Sequence, residues 1–142
     1  MSEKEIKLTI ESRLENVFLI GLVINRICSY MNLSEEESYH LEISVVEAVN
    51  NAIKHAYGNE PGHYVEVVIT LYKDRIELKV CDTGKRMEPG DIPGMDFDPD
   101  DRENLPEGGM GLFIMHEIMD SVVYESSEEK NVLTLTKFLA NI

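Results

Sequence analysis

Residues 65–80 read VEVVITLYKDRIELKV, and this stretch decides the fold. Apolar side chains occupy alternate positions from Val65 to Leu71 and again from Ile76 to Val80, on either side of a short polar turn. This alternation is typical of two half-buried strands joined as an antiparallel hairpin. One face of the hairpin is aliphatic and the other is mixed polar, so we expect helices to cover only one side of the sheet.

A strand and two helices are predicted before this hairpin. Alternation predicts a strand over residues 6–10, and apolar residues at helical spacing predict a helix over residues 14–31 that is apolar nearly all round. Such a helix is either deeply buried or meets a partner. A Ser-x-x-Glu capping box at Ser34 and Glu37 predicts the start of a second helix, and Gly58 stands where its C-terminal cap belongs.

A long loop, a short helix and two strands are predicted after the hairpin. Residues 84–107 have no hydrophobic period and hold four of the five prolines, which is typical of a functional lid or a disordered segment. Residues 112–119 read as a short helix, and residues 121–125 and 132–139 read as strands. The predicted fold class is therefore α/β of the α+β kind, a two-layer sandwich with helices on one face of a mixed, mostly antiparallel sheet.

Composition limits the classes of protein to which the chain can belong. The 142 residues, 43% of them hydrophobic, predict a single domain over residues 1–142. Lys and Arg total 13 against 27 Asp and Glu, and the resulting net charge of −14 argues against direct nucleic-acid binding. The longest apolar run, Val17–Ile24, is too short to span a membrane. We expect Cys28 and Cys81 to be free thiols, as is usual in the reducing cytoplasm, so the expected location is cytoplasmic.

A polar stripe on the second helix is the first candidate site. Glu47, Asn51 and His55 recur at i, i+4 and i+8, so they line up along one side of that helix. The stripe is either a solvated polar face of the helix or a functional site. A carboxylate and an amide oxygen one turn apart can hold a hard cation such as Mg²⁺ and orient a nucleophile. For His55, a position facing the sheet or a hydrogen bond to a carbonyl stays open.

Two glycine-containing motifs follow. Asp82-Thr83-Gly84 comes at a predicted strand end, where it is either a turn or a carboxylate that accepts a hydrogen bond from an amine such as that of adenine. Gly108, Gly109 and Gly111 precede a predicted helix. They are either part of a flexible loop or an anion site, because glycines let a phosphate approach free backbone N–H groups at a helix start.

Taken in order, these motifs resemble those of one ATPase superfamily. Residues 47–55, EAVNNAIKH, resemble the N-box of the GHKL ATPases, and Asp82-Thr83-Gly84 resembles their adenine-binding box. Residues 108–112, GGMGL, resemble their second glycine box. Within the superfamily, the chain is most similar to the stand-alone anti-sigma factor serine kinases of bacterial partner switching. The resemblance implies the histidine kinase-like (Bergerat) ATPase fold.

The resemblance assigns a role to each matching residue. It implies that Asn51 coordinates Mg²⁺ at the phosphates of ATP and that Glu47 is the catalytic base for a serine hydroxyl. It implies that Asp82 reads the adenine amino group, that Gly84 packs under the base and that residues 85–107 form a nucleotide lid. The further nucleotide contacts that it implies are Gly108, Gly109, Met110, Gly111 and Leu112.

The resemblance also implies a function and partners. The expected activity is that of a Mg-ATP-dependent serine protein kinase that phosphorylates an anti-anti-sigma (STAS) partner. The chain would also sequester a sigma factor of RNA polymerase as an anti-sigma factor, and would act as a homodimer. The alternative is a non-catalytic nucleotide-binding regulator that works only by sequestering a partner.

Three positions depart from the family pattern. Arg86 stands where a second glycine is usual in the adenine box, and Glu107 stands where an arginine often neutralises the γ-phosphate. That charge would have to come from Arg102, Lys85 or Arg86. Residues 130–132, KNV, replace the usual Gly-Thr-Thr of the final strand, where a threonine lies near the adenine.

Overall fold

The computed structural model describes residues 3–87 and 115–139, which contain five strands and two long helices. A single 3₁₀ turn, Leu14–Asn16, precedes the first helix, and a π-helical turn, Ala52–Ala56, continues the second. The main elements are β1 (Lys4–Glu11), α1 (Val17–Tyr30), α2 (Glu35–Asn51), β2 (Tyr64–Leu71), β3 (Arg75–Asp82), β4 (Ser121–Ser126) and β5 (Asn131–Phe138).

The strands form one sheet in the order β1-β2-β3-β5-β4. All four pairings among the described strands are antiparallel, and the register places Ile69 opposite Leu78 and Leu78 opposite Leu135. The last strand of the chain therefore inserts between β3 and β4, which makes β5 a direct neighbour of the strand that ends in Asp82. The predicted two-layer sandwich is confirmed.

The core lies between the sheet and the two helices. Ile20 of α1 and Leu41 and Val45 of α2 are fully buried, as are the inward side chains of β2 and β3. Period-two alternation places the polar residues on the opposite face, which no described helix covers. The residues on that face include Lys7, Glu66, Glu77, Lys79 and Thr134.

α2 begins and ends as the sequence predicts, with one added feature. The Ser34 hydroxyl accepts a hydrogen bond from the Glu37 N–H (3.1 Å), and the Glu37 carboxylate accepts one from the Ser34 N–H (3.2 Å), so the capping box is present. At the other end the helix widens after Asn51, and the N–H of Tyr57 bonds to the carbonyl of Ala52 (3.1 Å). Gly58 then stops the helix at φ +59°.

α1 has a buried side and an exposed apolar side. Val17, Ile20 and Ile24 face the core, while Phe18 and Leu22 are 61% and 55% exposed. Burial is therefore confirmed for one face of this helix, and contact of the exposed apolar face with a partner stays a prediction. Within residues 3–87 and 115–139, no helix is long and apolar enough to cross a membrane.

Two of the predictions from sequence fall only partly within the described residues. Residues 115–118 are helical, as predicted for residues 112–119, and Met115 is fully buried in the core. Residues 85–87 begin the predicted lid, whose remainder lies outside the described residues. The second glycine box, residues 108–112, lies outside them as well, as do Arg102 and Glu107.

Candidate nucleotide-binding site

The helix side of the candidate site is formed by the last turns of α2. Asn51 is buried, with 7% of its surface exposed. Its side-chain amide makes no hydrogen bond within the part of the chain that the structure describes. Glu47 lies one turn earlier and is half-buried, likewise without a side-chain partner there. His55 is exposed, so the stripe predicted from the sequence divides into a buried half and a solvated half.

The strand side is formed by the end of β3. Asp82 is 8% exposed, and its Oδ1 accepts hydrogen bonds from the Gly84 N–H (3.0 Å) and from Asn131 Nδ2 (2.7 Å). Burial raises the pKa of the Asp82 carboxyl, and these two hydrogen bonds act in the opposite direction because they stabilise the ionised form. The carboxylate is therefore a fixed acceptor at the edge of the core.

A small cavity connects the two sides. Asn51 and Asp82 both line it, so the structure brings together two of the residues singled out from the sequence. The small side chains of Ala48 and Ala52 leave the space on the helix side, and Met87 closes it at the start of the predicted lid. The cavity volume is about 20 Å³, which suits a single water, so a purine enters only if the cavity opens.

The end of β3 is clamped to the end of α2. The hydroxyl of the buried Tyr57 accepts a hydrogen bond from the Thr83 N–H (2.8 Å) and donates one to the carbonyl of Tyr64 (2.6 Å). The Lys85 N–H bonds to the carbonyl of Ala56 (2.8 Å). A Cβ at Gly84 would overlap that same carbonyl, so this position requires glycine for helix–strand packing. The clamp sets the spacing between the Asn51 and Asp82 sides.

Four residues of the site were missed by the sequence analysis. Tyr57 forms the clamp, and Tyr124 lines the cavity while its hydroxyl accepts a hydrogen bond from the Met87 N–H (3.0 Å). Asn131 and Ser126 form a hydrogen-bonded row beside Asp82. Only Asn131 carried a signal, since it stands at one of the departures from the family pattern.

The donor set fits Mg²⁺ better than a tightly bound transition metal. Within residues 3–87 and 115–139, no group of three or more His, Cys, Asp or Glu residues could hold a metal ion. Mg²⁺ keeps several waters and needs only one or two protein oxygens. The Asn51 amide oxygen lines the cavity and has no partner among the described residues, so it is the group here that could hold such an ion.

An α+β sandwich with a cavity between a polar helix stripe and a strand-end aspartate is the architecture expected of a nucleotide-binding ATPase domain. The model of the histidine kinase-like ATPase domain matches residues 10–137, and the chain belongs to that family. The resemblance predicted from the three motifs is thereby confirmed.

The chain is similar to curated proteins named serine-protein kinase RsbW. It is 34% identical to the one from Bacillus pumilus (strain SAFR-032) over 140 residues, which cover 94% of this chain and 85% of that protein. It is 32% identical to the one from Bacillus velezensis (strain DSM 23117) over 138 residues, with the same coverage. These relatives confirm the predicted resemblance to the serine kinases of that group.

A solved structure shares the fold. It is the crystal structure of the RsbU and RsbW domains of a Mycobacterium tuberculosis protein, with a TM-score of 0.70 and 13% sequence identity. The similarity covers 98% of this chain and 33% of that longer chain. At this identity the likeness establishes the fold alone.

Proposed function

We propose that this chain is a Mg-ATP-dependent serine protein kinase that phosphorylates a STAS-type anti-anti-sigma protein. One observation carries the proposal: the Asn51 amide, which has no partner among the described residues, and the fixed Asp82 carboxylate line one cavity. Glu47 lies one helical turn from Asn51. The serine-protein kinases among its relatives support the same activity.

Each residue of the site has a chemical task in this proposal. The Asp82 carboxylate accepts a hydrogen bond from the exocyclic amine of adenine. The Asn51 amide oxygen holds Mg²⁺, which when bound neutralises charge on the phosphates. Glu47 accepts the proton of the substrate serine hydroxyl as it attacks, which is the task of a general base. Residues 108–112 would complete the site through backbone N–H groups at the phosphates.

We propose further that the chain sequesters a sigma factor of RNA polymerase in the cytoplasm and acts as a homodimer. The exposed apolar side of α1 supports a protein–protein role, because Phe18 and Leu22 lie one turn apart on its surface and Leu14 is exposed in the 3₁₀ turn before it. The molar mass by light scattering tests the dimer. A monomer at all concentrations would contradict it.

The decisive experiment is transfer of labelled phosphate to the STAS protein of the same genome. The wild type is expected to form phosphoserine only when Mg²⁺ is present. Glu47→Gln is expected to slow transfer by about 10²–10⁴-fold while ATP affinity stays the same, because only the base is removed. Glu35→Gln, an exposed position on the first turn of the same helix, is the matched control and should behave as wild type.

The non-catalytic alternative predicts a different result from the same assay. Glu107, at the place of the usual arginine, is the residue that favours it. In that case the wild type binds ATP with Mg²⁺, gives no phosphoserine, and still binds the sigma factor. Absence of any ATP binding would overturn both the kinase and the nucleotide-binding regulator.

A further inference from the structure

Three side chains form a hydrogen-bonded row across the inner face of the sheet. In the register of β3, β5 and β4, Asn131 lies directly opposite Asp82 on one side and Ser126 on the other. Ser126 Oγ donates to Asn131 Oδ1 (2.6 Å), and Asn131 Nδ2 donates to Asp82 Oδ1 (2.7 Å). Asn131 is only 3% exposed, so its hydrogen bonds form away from water.

The orientation of the Asn131 amide is forced by its neighbours. Nδ2 also donates to the carbonyl of Gly84 (3.1 Å). An ionised carboxylate and a carbonyl can only accept hydrogen bonds, so the atom that faces both must be the NH₂ group. The amide oxygen then points to Ser126, whose hydroxyl can donate. Every donor and acceptor of the Asn131 side chain is therefore used.

This arrangement makes the two oxygens of Asp82 unequal. Oδ1 receives both donors, the Asn131 amide and the Gly84 N–H. Among residues 3–87 and 115–139, no hydrogen-bond donor reaches Oδ2. Asp82 lines the cavity, so a ligand there can reach this oxygen. A carboxylate held by two donors on one oxygen cannot rotate without breaking both bonds. Oδ2 is thus left as the acceptor for a ligand.

We propose that Asn131 is a positioning residue that makes the site selective for adenine by holding Asp82 with Oδ2 free for the exocyclic amine. This inference rests on the proposed function. The 6-amino group of adenine donates a hydrogen bond to a carboxylate, whereas the 6-oxo group of hypoxanthine or guanine accepts one and is repelled. A carboxyl that carries a proton loses this discrimination because its O–H can donate to a 6-oxo group. A carboxylate that can turn loses it because no oxygen is then held facing the base.

The test compares ATP with inosine triphosphate, ITP, whose base carries a 6-oxo group. Calorimetric titrations in Mg²⁺ are expected to show that the wild type prefers ATP by at least about tenfold. Asn131→Val is expected to weaken ATP binding by about tenfold and ITP binding much less. Asn131→Thr, which has the shape of valine but carries a hydroxyl donor, is expected to keep the wild-type preference.

A second variant tests the same geometry without altering Asn131. In Asp82→Asn the two donors select the amide oxygen for the Oδ1 position, so the new NH₂ group takes the place of Oδ2. That donor should reverse the preference, so that ITP binds better than ATP. Adding Asn131→Val to Asp82→Asn should abolish the reversal, because the amide is then free to turn. A purely structural role for Asn131 would lower stability without moving the ATP-to-ITP ratio.

The outcomes separate this inference from the proposed function. If the wild type binds ATP and Asn131→Val has the same ratio of ATP affinity to ITP affinity as the wild type, the positioning role is overturned and nucleotide binding stands. Retention of ATP preference in a folded Asp82→Asn variant would overturn it equally. If the wild type does not bind ATP at all, the proposed function fails and takes this inference with it.

Discussion

The two sides of the cavity use the same kind of side chain in opposite ways. On the strand side, the buried Asn131 is bonded to Asp82, Gly84 and Ser126. On the helix side, Asn51 is almost as buried, and its amide has no partner among the described residues. Among the described residues, the one side-chain polar atom that is fully enclosed without a partner is Ser44 Oγ, so the Asn51 amide keeps access to the cavity that it lines. The hydrogen bonds of the strand side are therefore made within the protein, whereas the amide on the helix side is left available for the proposed ligand.

The largest effect is expected where the two sides are joined. Gly84→Ala would push a methyl group into the carbonyl of Ala56 and to within 2.8 Å of the Tyr57 ring. We expect the free energy of unfolding to fall by about 3 kcal/mol, because the clashing atoms include backbone that cannot turn away. Urea denaturation followed by circular dichroism measures this change.

A control for Gly84→Ala is available on the same protein. Gly62 has φ +92°, and an added Cβ there meets no atom within 4 Å. Gly62→Ala is expected to cost only about 1 kcal/mol, because it adds backbone strain without a clash. Equal losses at the two glycines would show that the clamp does not hold the two sides of the cavity together.

A matched pair of substitutions tests the comparison directly. Asn131→Ala is expected to lower the free energy of unfolding by about 2 kcal/mol, because Ser126 and Asp82 lose a buried partner. Asn51→Ala is expected to leave it unchanged or to raise it by about 0.5 kcal/mol, because alanine favours the helix and no protein bond is lost. Urea denaturation of both variants gives the difference.

The Asn51 variant also tests whether the helix side takes part in binding the ligand. Asn51→Ala is expected to remove most of the gain in ATP affinity that Mg²⁺ provides, while ATP affinity without the metal stays the same. If the Asn51 variant is instead the less stable protein and retains the effect of Mg²⁺, the helix side is an ordinary part of the core and the comparison fails.

The local parts of this picture could be predicted from the sequence, and the long-range parts could not. The capping box at Ser34 and the spacing of Glu47 and Asn51 involve residues within two turns of one helix, so periodicity was enough. Asp82 and Asn131 are 49 positions apart, and they meet only because β5 inserts between β3 and β4. Strand order and register depend on the packing of the whole sheet, which no local pattern specifies.

The role of Gly84 was only partly predictable for a related reason. A glycine after a strand-end aspartate indicated that something approaches the backbone closely, and the sequence suggested a ligand. In the structure the end of α2 makes that approach, at the carbonyl of Ala56. The π-helical turn that brings this carbonyl to Gly84 has no recognisable signal in the run AIKHA.

A smaller effect is expected from the hydroxyl of the clamp. Tyr57→Phe removes the acceptor of the Thr83 N–H and the donor to the Tyr64 carbonyl, and it keeps the ring that stacks on His63 at 4.7 Å. We expect a loss of about 1 kcal/mol, because Thr83 is exposed and water can replace part of what is lost. Thermal denaturation measures this loss.

The control for Tyr57→Phe is Tyr39→Phe on α2. Tyr39 is 60% exposed, so removal of its hydroxyl should not change the melting temperature. A loss as large as that of Tyr57→Phe would mean that the cost comes from the phenol in general rather than from the bonds to Thr83 and Tyr64.

The smallest effect concerns the pH dependence of the strand side. Because burial raises the pKa of Asp82 above its value in the unfolded chain, the folded protein holds that proton more tightly. The stability that this proton contributes is complete at low pH and is lost as the pH rises through the folded pKa. The wild type should therefore lose stability relative to Asp82→Asn as the pH rises above about 4, the ordinary pKa of an aspartate. Asn131→Val should extend that loss to higher pH, because the hydrogen bond that opposes the burial effect is gone. A difference that does not vary with pH in either background would show that Asp82 is not held as a buried carboxylate, and the contrast between the two sides of the cavity would no longer stand.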